Sequence, residues 1–71
     1  MERKDLENLA EGDVVEVSTL KSFKVRLYYF VSLDDRYERI RLSEFRTEDG
    51  NYYKNRFVKI GNIKSIKKLV L

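Results

Sequence analysis

Seventy-one residues make a single domain, 1–71, that buries only about 60% of its unfolded surface, so oligomerisation is the expected way to cover more. The absence of Cys and His removes disulfides and nearly every zinc, haem or iron–sulfur scheme; carboxylate-only calcium or magnesium sites stay open, but no EF-hand spacing appears, and neither metal nor cofactor is expected. The net charge of +3 is uneven: residues 51–71 hold Lys54, Arg56, Lys59, Lys64, Lys67 and Lys68 with no acid, a segment that attracts phosphate backbones or acidic surfaces.

The amino terminus, Met1-Glu2-Arg3-Lys4-Asp5, is charged and lacks the apolar core of a signal peptide. No apolar run approaches the roughly 18 residues of a membrane span, and a cytoplasmic protein is expected. Lys4–Ala10 places Leu6, Leu9 and Ala10 three and four apart, which predicts one short α-helix with an apolar stripe. Asp5 is positioned to cap its start, and Gly12 stands past its end, where a left-handed residue is needed.

Val14-Val15-Glu16-Val17 is β-branched and alternating, a first strand. After a weak turn at Lys21-Ser22, residues 23–31 predict a second. Phe23, Val25, Leu27, Tyr29 and Val31 form its apolar face, with Lys24, Arg26 and Tyr28 pointing the other way. Asp34-Asp35 signals a turn. Ile40 and Leu42 alternate with Arg39, Arg41 and Ser43 in a third strand, and Asp49-Gly50 is the strongest hairpin cue in the chain. Residues 56–60 make a fourth strand, Gly61-Asn62 breaks it, and residues 63–66 begin a fifth. The expected fold is all-β: a short N-terminal α-helix, then five antiparallel strands that curl and close into a small SH3-like barrel.

Catalysis is not expected. No Cys is present, no His can serve a Ser as base, and Gly12, Gly50 and Gly61 are too far apart for a phosphate loop. Asp34-Asp35 reads as solvated turn punctuation rather than a catalytic pair. Among the aromatics, Phe23, Tyr29 and Phe57 read as core, and Tyr52-Tyr53 as packing beside the hairpin, with a second stacking platform as the alternative. Tyr37 stands in a charged turn beside Arg36, the setting in which an exposed ring stacks on the bases of a single strand; the other reading is a plug over the barrel mouth.

The chain resembles the Sm/LSm superfamily, and within it the Hfq-like branch, nearest to the archaeal type. Leu6-Glu7-Asn8-Leu9 is similar to the helix before the first strand, and Phe23-Lys24-Val25 to the start of the second. Asp35-Arg36-Tyr37 is similar to the loop between strands two and three, and Phe57-Val58-Lys59-Ile60-Gly61-Asn62-Ile63 to the second Sm motif. Lys59 stands two places before Gly61 rather than beside it, the bacterial Tyr-Lys-His triplet is absent, and the loop at 46–55 is longer than usual. The resemblance implies an Sm-like barrel of bent strands and a homo-oligomeric ring of six or seven subunits. The fourth strand of each subunit would pair with the fifth of the next. It also implies U-rich or A-rich single-stranded RNA held around a central pore by Asp35, Arg36, Tyr37, Lys59, Gly61 and Asn62.

Two alternatives stay open. One is a monomeric SH3-like barrel coating duplex DNA, as small archaeal chromatin proteins do, through the basic terminal strands with Arg26, Arg39 and Arg41. The modest +3 charge disfavours it. The other is a protein-binding adaptor whose edge strand recruits a peptide.

Overall fold

The computed structural model describes residues 3–22 and 24–70; Met1, Glu2, Phe23 and Leu71, and the expectations attached to them, lie outside the described residues. A 3-10 helix, Arg3–Leu6, precedes β1 (Val14–Thr19) and β2 (Arg26–Asp34). A second 3-10 turn, Asp35–Tyr37, leads to β3 (Arg39–Arg46) and β4 (Tyr52–Lys59), and a third, Ile60–Asn62, leads to β5 (Ile63–Lys68). All pairings are antiparallel, in one five-stranded sheet of order β4-β3-β2-β1-β5. Among the described residues no helix is long and apolar enough to cross a membrane.

The expected α-helix over residues 4–10 is instead a short 3-10 element and a turn. Its bonds run three residues back, from the amides of Glu7 and Leu9 to the carbonyls of Lys4 and Leu6. A seven-residue segment adds few propagating bonds against the cost of α-helix nucleation, and only Leu6 and Leu9 pack on the core to support it. Its apolar stripe survives in part, with Leu6 buried and Leu9 packed against the core while Ala10 is exposed. Asp5 lies inside the 3-10 helix rather than capping it. Gly12 has φ +91°, as its place demanded, and hands the chain to β1 through mutual bonds of the Gly12–Asp13 segment with Phe30.

β2 reverses the predicted faces. Val15 and Val17 of β1 are buried, and their partners across the ladder are Tyr28 and Arg26. Cross-strand partners share a face, so Tyr28 joins the core and Arg26 lies on the same concave side. Leu27 pairs with Glu16 on the outer side and is exposed, as is Val25. A register shift between Phe30 and Ser32 then lets both Phe30 and Val31 be buried.

The rest follows the expected pattern with longer strands. Ile40 and Leu42 are fully buried. The Asp49-Gly50 turn closes the β3–β4 hairpin with Gly50 at φ +87° and a bond from the Thr47 amide to the Asn51 carbonyl. Val15, Val17, Tyr28, Phe30, Ile40, Leu42, Ile60 and Ile63 form one cluster with Leu6. A sheet with one apolar face and no α-helical layer above it must bend around that face. The expected closure is not completed: β4 and β5 are the two ends of the sheet and do not pair. Lys54, Arg56 and Lys59 on β4 and Lys64, Lys67 and Lys68 on β5 share their strands with no acid, and two of them reach acids outside, Arg56 to Glu44 and Lys68 to Asp13.

Candidate nucleic-acid interface

The turn between β2 and β3 is built by charge and backbone chirality. After the Asp35–Tyr37 turn, Glu38 takes a left-handed conformation, φ 49°, and reverses the chain into β3. Asp34 closes the turn by accepting a hydrogen bond from Nε of Arg39 at 3.0 Å, with both side chains part-buried. Tyr37 is left 55% exposed. Its ring lies 5.6 Å from the Arg36 guanidinium and 4.8 Å from that of Arg39.

Arg39 also lies over Phe57, 4.3 Å from the ring centroid. One guanidinium thus meets two aromatic rings and is fixed from its edge by Asp34. Contacts of this kind contribute about 0.5–1 kcal/mol each at exposed sites. Phe57, expected in the core, is 54% exposed. The reason is parity. Val58 packs against the core, so Phe57 and Lys59 on either side of it face outward.

The third turn brings in the remaining candidates. Ile60 and Ile63, three apart on a 3-10 turn, both point into the core, leaving Gly61 and Asn62 exposed. The Ile60 amide donates to the Glu38 carbonyl at 2.9 Å, and Lys59 is the ladder partner of Arg39. Asp35, Arg36, Tyr37 and Lys59 therefore gather at one end of the β3–β4 pair. Gly61 is on the adjoining turn, and Asn62 is tied to a different loop, its carbonyl accepting the Leu20 amide at 2.9 Å. The cations over the Tyr37 and Phe57 rings are the guanidinium groups of Arg36 and Arg39.

The aromatic and cationic pattern continues along the outer face. Arg41 is the partner of Phe57 and donates from Nε to Oδ1 of Asn55 at 3.0 Å. Farther on, Phe45 and Tyr53 are partners, both exposed, with the Lys54 ammonium 5.2 Å from the Phe45 ring. Arg39, Arg41 and Phe57 are functional candidates that the sequence reading of this site left out. Counting alternation outward from buried Ile40 and Leu42 identifies the two arginines, and their register with β4 identifies Phe57. Such a surface offers flat faces for bases and fixed N–H donors for phosphates.

Comparison with protein-family models, with curated proteins and with solved structures finds no match to this chain.

Proposed function

We propose that this chain binds single-stranded RNA as an Sm-like subunit of a homo-oligomeric ring. The observation that carries the reading is the exposed cluster of Tyr37, Arg39 and Phe57 with Arg36 and Lys59 beside it. Aromatic rings more than half exposed are costly to leave in water unless something covers them, and bases stack on them whatever their sequence. The neighbouring cations supply the phosphate contacts that a single strand needs.

Support for the Sm-like reading comes from strand order. β5 returns to β1, a 3-10 turn separates β4 from β5, and both terminal strands present unpaired edges. Edges of this kind are hazards unless covered, and pairing β4 of one copy with β5 of the next would cover both. The ring would present the Tyr37 cluster once per subunit, so weak individual sites add through multivalency.

Fluorescence anisotropy with oligo-U, oligo-A and a duplex of equal length, at one fixed salt concentration, tests the reading. Tighter binding of either single strand supports it; tighter duplex binding gives the case to a DNA-coating barrel, and no binding to an adaptor.

A further inference from the structure

On the opposite face of β4 from Phe57 lies a cleft of about 350 Å³. Lys24, Arg26 and Arg56 line it together with Thr19, Ser22 and Tyr28. Arg26 is the ladder partner of Val17 and Arg56 that of Leu42, both core residues, so the two arginines project on the concave side of the sheet where apolar side chains are the rule. Glu44 meets Arg56 at 3.9 Å. Neither Lys24 nor Arg26 has an ion-pair partner among the described residues.

Three cations converging on one cavity repel one another and favour an anion between them. The hydroxyls reinforce this. The Tyr28 hydroxyl bonds to none of the described residues, and Tyr28 lines the cleft. Val17 and Val58 add apolar wall, which a bare inorganic anion would not use. The volume is at the lower end for small-ligand sites and matches one nucleotide.

We infer that this cleft binds a phosphate ester of mononucleotide size, with Arg26, Arg56 and Lys24 on the phosphate and the Val17–Val58 wall against the base or sugar. The site is separate from the Tyr37 cluster and does not rest on the RNA reading, because Arg56 and Val58 face inward where Phe57 and Lys59 face outward. The phosphate ester is either a free nucleotide or the 5′ end of an RNA strand.

Amide shifts of isotope-labelled protein, followed during titration at fixed salt, test it with UMP, AMP, uridine and a trinucleotide with or without a 5′-phosphate. Saturable shifts at Thr19, Ser22, Lys24 and Arg26 with UMP or AMP, but not uridine, assign a free nucleotide. The same shifts with only the 5′-phosphorylated trinucleotide assign a strand end. In either case Arg26→Gln with Arg56→Gln is expected to weaken binding at least about tenfold, in line with loss of charged hydrogen bonds. Both arginines are exposed, so the double variant is expected to keep its fold, and Lys24→Gln provides a milder check with a smaller loss. Absence of saturable shifts with every phosphate ester overturns the inference, as does equal binding by the double variant. The inward arginines would then serve only to guard an open edge.

Discussion

The Ile60 amide donates to the Glu38 carbonyl at 2.9 Å, and this bond joins the turn that displays Tyr37 to the turn that follows Lys59. Ile60 itself is buried in the core, so the site and the hydrophobic cluster share one residue. Ile60→Ala is expected to cost about 2–5 kcal/mol through the cavity it leaves, a large fraction of the stability of so small a domain. Urea denaturation measures it, and a loss below about 1 kcal/mol would show that the turn collapses to fill the space.

Ser43 lies fully buried on β3, its hydroxyl 2.7 Å from the Phe45 carbonyl and 2.6 Å from that of Tyr53. It ties β3 to β4 where Lys54 adopts φ 55°. Ser43→Ala should cost about 1 kcal/mol, since it removes a donor from two part-buried carbonyls. Thermal unfolding decides; an unchanged midpoint would mean that both carbonyls find other donors.

Asp13 holds the start of β1. Its carboxylate accepts the Ala10 amide at 2.8 Å and pairs with Lys68 of β5 at 3.4 Å; these contacts, the amide first, lower its pKa. A carboxyl whose pKa is depressed by folding adds stability above its unfolded value and loses it as pH falls through the folded value. Asp13→Asn is therefore less stable than wild type at neutral pH, and the gap narrows in acid. Denaturation curves across pH check this, and a gap independent of pH would contradict it.

The cations on β4 and β5 make a prediction about assembly. If these edges pair between subunits, like charges approach one another, and salt screens that repulsion. Light scattering should show the ring forming more readily as salt rises, or on addition of RNA. Dissociation by salt would contradict pairing through these two strands.

Much of the fold was legible in the residues. Ile40 and Leu42 fixed one strand and its inward face, Asp49-Gly50 the hairpin, and Gly61-Asn62 the break before β5. The faces of β2 were not, because Leu27 to Val31 are all apolar or aromatic, so that run by itself chooses neither phase. Only pairing with Val15 and Val17, and the bulge after Phe30, decides which phase is inside. The same reasoning separates the site residues. Tyr37 was recognisable from its charged surroundings, whereas Phe57 looked like core until its register with Arg41 placed it outside. Arg39 entered only as a phosphate contact of the duplex-DNA alternative, because its place beside Tyr37 depends on three partners distant in sequence or on the far side of a turn: Asp34, Tyr37 and Phe57.

The most direct test of the central claim is the salt dependence of RNA anisotropy for Tyr37→Ala, Phe57→Ala and Lys59→Ala. Stacking contributes about 1–3 kcal/mol per base, so each aromatic variant should weaken oligonucleotide binding roughly five- to 150-fold while keeping the slope of affinity against salt. Lys59→Ala should weaken binding and flatten that slope, because a lost phosphate contact releases fewer counterions. Wild-type affinity in both aromatic variants, with the protein still folded and assembled, would contradict the account.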